Sequence, residues 1–135
     1  MTAVAVDTSA LIAILYREVE SGEFVDGLAV AGMGFISAAT LHEAHCVTVR
    51  SGINGVALRL AKLIEQLQLT ILPFDEEMPK AARDAYSRFG RGTGHRAKLN
   101  MGDCFAYALA KSRGLPLLFK GDDFIHTDVA PALAG

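Results

Sequence analysis

Two hydrophobic periods alternate along the chain. "AVAV", residues 3–6, is a short β-prone run that ends at Asp7. Thr8 or Ser9 can cap the helix that follows, "ALIAILYREVE". A second helical stretch runs from Gly22 to about Ala31, and "MGFISA", residues 33–38, reads as a buried strand. Ser37 is placed to cap "AATLHEAHCVTVRSG", which stops at Gly52. "GVALRLAKLIEQLQL" is amphipathic, with Val56, Leu60, Leu63, Ile64 and Leu67 at helical spacing. "TILPF", residues 70–74, is a third strand ended by Pro73, and a helix from about Glu76 to Phe89 follows. "GRGTGHRAKLN", residues 90–100, reads as a glycine-rich, basic loop. The helix over 101–113 stops at Gly114, and "PLLF", residues 116–119, shows the unbroken apolar run of a strand covered on both faces. One more short strand is expected around Thr127–Val129. Strands alternating with helices predict one α/β domain over 1–135, three-layered, with a mainly parallel sheet of four to five strands.

Composition narrows the classes. Hydrophobic residues make up 51% and charged residues 21% of the 135, which suits a packed core rather than a disordered chain. The net charge is −2, so any nucleic-acid partner has to be held by a local basic patch. Cys46 and Cys104 lie in no metal-ligand pattern and are expected to be buried free thiols, as in a reducing cytosol. The N-terminus lacks a basic region ahead of its apolar run, and no apolar stretch is long enough to span a bilayer, so a cytoplasmic protein without membrane contact is expected.

The acids carry the chemical interest. Asp7 ends the first strand, and Asp122 and Asp123 follow the fourth. Glu43 lies two turns into the helix that leaves the second strand, and Asp103 opens the helix that leads into the fourth. Each has an ordinary explanation. Asp7 can cap its helix. Asp103 can close a capping box with Asn100. The Asp122–Asp123 pair can form a polar turn. Glu43 shares a face with Ala39, Thr40, Cys46 and Val47 that looks core-directed, with Arg50 as its available partner. Together, however, acids at strand ends and helix starts can converge on one crevice, where they would repel unless a cation sat among them. An all-oxygen cluster suits Mg²⁺ or Mn²⁺ rather than zinc, and such a metal points to phosphoryl chemistry.

"VDTSAL" at 6–11, "LHEA" at 41–44, "GDCFAYALAK" at 102–111 and "PLLFKGDDF" at 116–124 together resemble the PIN-domain ribonucleases, and more narrowly the VapC toxins of bacterial toxin–antitoxin pairs. The similarity runs from about Ala3 to Asp128. It implies an α/β/α domain, RNA cleavage dependent on Mg²⁺ or Mn²⁺, a VapB-type antitoxin and a homodimer. By matched position Asp7, Glu43 and Asp103 correspond to the family's acids, with Asp7 and Asp103 in direct metal contact. The fourth acid falls in "KGDDF", where Asp122 is favoured and Asp123 is its neighbour. Ser9 matches a small polar residue that helps place a carboxylate or the metal's waters.

The implied chemistry is in-line hydrolysis by a metal-activated water, without a protein nucleophile. His42 and His45 are read as surface or packing residues. Arg88, Arg91, Arg96 and Lys98 form an acid-free basic run with His95, made pliable by Gly90, Gly92 and Gly94, and Lys120 adjoins the acidic turn. These are the expected RNA contacts. Few exposed aromatics are evident, so base stacking is not predicted. Leu11, Ile14, Leu15 and Phe24 offer a dimer surface or fill the core. Two other readings remain open. One is a phosphohydrolase with Asp7 as covalent nucleophile. The other is a binding module whose acids pair with arginines of a partner.

Overall fold

A computed structural model describes residues 2–133. β1 (Thr2–Val6) leads into α1 (Thr8–Leu15) and α2 (Ser21–Ala31). β2 (Gly32–Ser37) leads into α3 (Ala38–Ser51) and α4 (Val56–Gln66). β3 (Thr70–Leu72), α5 (Glu77–Phe89), α6 (Met101–Arg113) and β4 (Leu117–Leu118) follow, and Phe124–His126 forms a 3-10 turn. The four strands pair in parallel in the order β3-β2-β1-β4. All carboxyl ends therefore share one edge. The order reverses at β1, which has β2 on one side and β4 on the other. Such a switch point opens a crevice beyond the strand ends, and Asp7 lies at its mouth.

Alternation along β1 separates two cores. Val4 and Val6 pack with Leu11, Ile14, Phe24, Leu28 and Leu60. Ala5 faces the other way, with Phe89, Leu99, Tyr107 and Leu109. The sheet is thus the middle of three layers, as the sequence predicts.

Local chemistry explains most boundaries. Asp7 and Ser37 accept from the backbone N–H two residues on and cap α1 and α3. Gly52 and Gly114 end α3 and α6 in the left-handed conformation, at φ 67° and 64°.

Three expectations are corrected and one open alternative is decided. The first helix stops at Leu15 rather than running on to Glu20. Arg17 adopts φ 54°, and Arg59 of α4 donates to the Leu15 carbonyl at 2.8 Å, so a tertiary contact seals an end that no glycine marks. Leu11, Ile14, Leu15 and Phe24 are all buried in this chain's own core and offer no dimer surface. Cys46 is exposed, because the buried stripe of α3 is Thr40, Ala44 and Thr48, while Cys104 is buried as expected. The tail pairs with β4 at Pro131 rather than at Thr127–Val129. Leu117 N–H donates to the Ala130 carbonyl and its own carbonyl accepts from Ala132 N–H, both at 2.8 Å. Proline lacks the donor to continue a ladder, which confines this contact to one bridge at the sheet edge.

A polar clasp holds that tail against α5 and α6. The buried Tyr107 hydroxyl donates to Asp128 at 2.5 Å, and Arg88 and Lys111 approach the same carboxylate at 3.3 and 3.5 Å. Tyr107→Phe is expected to lower the unfolding free energy by about 1–2 kcal/mol, read as a fall in the urea midpoint. An unchanged midpoint would remove the clasp from the account.

Candidate active site

β1 carries Asp7 to the sheet edge, and its side chain is 3% exposed. Oδ2 accepts from Ser9 N–H at 3.0 Å and from the Ser9 hydroxyl at 2.6 Å. Ser9 Oγ in turn accepts from Lys120 N–H at 2.9 Å, so this one hydroxyl ties the start of α1 to the segment after β4. Asp7 Oδ1 is buried and has no protein partner. Burial pushes the Asp7 carboxyl up from its ordinary 3.8 to about 7, against the Ser9 hydrogen bonds and with added repulsion from Asp103 and Glu43.

Asp103 is half-buried at the start of α6, in a full capping box with Asn100. Asn100 N–H donates to its Oδ2 at 2.9 Å, and Asp103 N–H donates to Asn100 Oδ1 at 2.8 Å. Burial raises its carboxyl from 3.8 to about 6. The Asn100 N–H opposes that rise, the charges of Asp123 and Glu43 add to it, and Arg91 counters it. Asp123, in the turn after β4, is among the charges that raise Asp103. Asp122 and Asp123 are both exposed.

Among the described residues Glu43 pairs with neither Arg50 nor a lysine. The Thr8 hydroxyl donates to its Oε1 and also reaches the Thr40 carbonyl at 3.4 Å. Gly102 forms the other wall, and a Cβ at this position would overlap the Glu43 carboxylate. In the sequence Thr8 reads only as a cap, and Gly102 is not among the predicted site residues. The signal for Gly102 was a glycine inside a helix, where alanine is favoured unless something needs the space.

The predicted basic residues divide. Arg91, Arg96 and Lys98 are exposed on the loop between α5 and α6. A Gly90–Leu99 bridge closes that loop, with Arg91 N–H donating to the Leu99 carbonyl at 2.8 Å. Lys120 pairs with Glu18 and Glu20 at 2.9 and 3.4 Å. Arg88 is held by Asp84 and Asp128.

The donor set is all oxygen. Among the described residues no three His, Cys, Asp or Glu side chains are arranged to enclose an ion. A cation here would meet one or two carboxylates and complete its shell with water, which is how Mg²⁺ is commonly held. The unpaired Asp7 Oδ1, inside a group of mutually repelling acids, fits such a cation.

The raised acids make metal-free stability depend on pH. Between 3.8 and about 7 the folded chain binds more protons at Asp7 than the unfolded chain does, so stability is fully present below 3.8 and is lost as pH rises through about 7. In chelator, unfolding free energy is expected to fall by on the order of 2–4 kcal/mol from pH 5 to pH 8. Asp7→Asn should flatten that profile. A wild-type profile that rises over the window would refute the burial argument.

The PIN-domain family model matches residues 4–130. The chain is similar to Ribonuclease VapC28 of Mycobacterium tuberculosis, at 45% identity over 128 residues, covering 95% of this chain and 96% of that protein. It is similar to Ribonuclease VapC42 of the same organism at 36% over 127 residues, covering 94% and 97%. Among solved structures, M. tuberculosis VapC20, described as a sarcin–ricin loop cleaving toxin, superposes with a TM-score of 0.75 at 15% identity, covering 94% and 96%. A member of the VapBC toxin–antitoxin family, VapBC-5, gives 0.65 at 21%, covering 98% and 95%.

Proposed function

The chain belongs to the PIN-domain family, among its VapC ribonucleases, and on that premise we propose that it hydrolyses RNA phosphodiester bonds with Mg²⁺ or Mn²⁺ held by its converging carboxylates. The observation that carries this reading is the buried, unpartnered Oδ1 of Asp7. A carboxylate kept from water without a donor is costly, and a divalent cation relieves both that cost and the repulsion from Asp103 and Glu43. When bound, the metal supplies the positive charge that activates water and stabilises the leaving oxygen.

Asp7 and Asp103 are the direct ligands in this reading. Ser9 fixes one oxygen of Asp7 and leaves the other free. Thr8 and the Gly102 backbone orient Glu43. Asp123 serves as the fourth acid in preference to Asp122, because its charge is among those that raise Asp103. Arg91, Arg96 and Lys98 hold the RNA backbone, and binding weakens as salt rises. Lys120 is committed to Glu18 and Glu20 and drops out of the RNA contacts. A covalent aspartyl-phosphate is disfavoured, since Asp7 is 3% exposed and already engaged by Ser9.

The partner is a VapB-type antitoxin in a VapBC pair, which inhibits by placing a basic side chain among the acids. A homodimer would have to use residues other than Leu11, Ile14, Leu15 and Phe24.

The reading is tested by incubating the purified chain with total RNA in Mg²⁺ or in chelator and mapping fragment ends. In-line attack by water releases the 3′ oxygen, so discrete fragments with 5′-phosphate and 3′-hydroxyl ends are expected, in Mg²⁺ alone. Cyclic 2′,3′-phosphate ends, or equal cutting in chelator, would contradict it.

A further inference from the structure

We propose that the cleft between the C-terminal half of α5 and the start of α6 seats one unpaired RNA base beside the scissile phosphate; this rests on the ribonuclease reading and deepens it. The cleft has a volume of about 560 Å³ and is walled by Arg83, Tyr86, Arg91, Asn100, Met101 and Phe105. That volume falls within the roughly 300–1,000 Å³ of small-ligand sites.

Three features select a base as the occupant. The first is unused apolar surface. Met101 is 70% exposed and Tyr86 42% exposed, at a place where burying a flat ring would repay the cost of leaving them in water. The second is rigidity. The Tyr86 hydroxyl donates to the Arg91 carbonyl at 2.9 Å, and the Phe105 ring is braced edge-on by Phe74 at 5.1 Å between centroids. Fixed rings make good stacking platforms because little side-chain freedom is lost. The third is charge. Among the described residues the charged groups on the wall are arginines, and Arg91 also lines a neighbouring cleft with Gly92, Gly94, His95 and Lys98. A strand crossing Arg91 would lay its backbone along the basic cleft and a base in the apolar one.

Continuity with the acids completes the placement. Asn100, on the wall, shares the capping box with Asp103, and Met101 lies two residues before Asp103. A second apolar cleft, of about 500 Å³ beside β1 and α2, is lined by Glu23 and Asp26, the wrong charge for RNA. The sequence shows few aromatics that are evidently exposed, so stacking is not predicted from it, whereas in the fold Tyr86 is 42% exposed beside Arg91.

The test uses single-stranded uridine 11-mers in which one 2-aminopurine is walked along the chain. They bind the full chain carrying Asp103→Asn, in Mg²⁺ at low salt. Quenching of 2-aminopurine is expected at one position, lost in Met101→Ser and Tyr86→Leu and kept in Tyr86→Phe. An abasic residue at that position should weaken binding by about tenfold with the cleft intact, at the lower part of what one stacked base contributes. With Tyr86→Leu it should change binding by less than about twofold. RNA that binds with no position-specific quench, or with the same quench in every variant, overturns the base seat and leaves the ribonuclease reading standing. Failure of all oligomers to bind, together with no cutting of total RNA by the wild type, overturns both.

Discussion

Asp103→Asn is expected to fold, and to melt no lower than the parent chain, while losing RNA cleavage by at least about 100-fold, since even residues that only support metal ligands cost 10–100-fold when changed. The side chain has two roles, and the substitution separates them. An asparagine oxygen still accepts from Asn100 N–H, so the capping box that starts α6 survives. What disappears is a negative charge held in a half-buried place, where burial pushes the carboxyl up to about 6. Folding gains by that removal at neutral pH, and the cation site loses a ligand. Turnover of a labelled RNA in Mg²⁺, read beside a thermal melt, checks both halves. Wild-type turnover would remove Asp103 from the site, and a collapsed melt would show that it is needed for α6 itself.

Gly102→Ala is the second large effect, and its sign is informative. In an ordinary helix interior this change is expected to stabilise by about 0.5–1 kcal/mol. Here the added methyl would fall on the Glu43 carboxylate, which is also gripped by Thr8. Glu43 must leave its position or α6 must shift. Overpacking of this kind costs about 1–3 kcal/mol. Cleavage should fall with stability, because Glu43 is pushed away from Asp7 and Asp103. A variant that is more stable than the parent and equally active would show that Glu43 has room to spare.

Whatever depends on neighbours in sequence was readable in advance. Asp7, Ser37 and Asn100 sit where caps are needed, and Gly52 and Gly114 where helices must turn left-handed. Strand and helix periods then fixed the α/β class. Features decided across the fold were not readable. α1 ends at Leu15 because Arg59, 44 residues away, holds its last carbonyl. Leu11 and Phe24 fit an interface as well as a core until the sheet covers them. Cys46 falls on the face of α3 that looks core-directed in the sequence, whereas packing buries the stripe Thr40, Ala44 and Thr48. In the acidic turn, the choice between Asp122 and Asp123 depends on the path of the chain after β4 rather than on neighbours in sequence. At the carboxylates the sequence offers the acids but not their neighbours, since the Thr8 hydroxyl and the gap left by Gly102 meet Glu43 only in the folded chain.

The central claim is that buried, mutually repelling acids around Asp7 form a divalent-cation site. Calorimetric titration of Mn²⁺ into the wild-type chain and into Asp7→Asn near pH 6.5 tests it most directly, because ligand carboxyls that titrate near 6 and 7 must shed protons as metal binds. The account predicts saturable uptake with proton release in the wild type, and affinity at least about tenfold weaker in the variant. No uptake by the folded wild type, or equal uptake by Asp7→Asn, would contradict it.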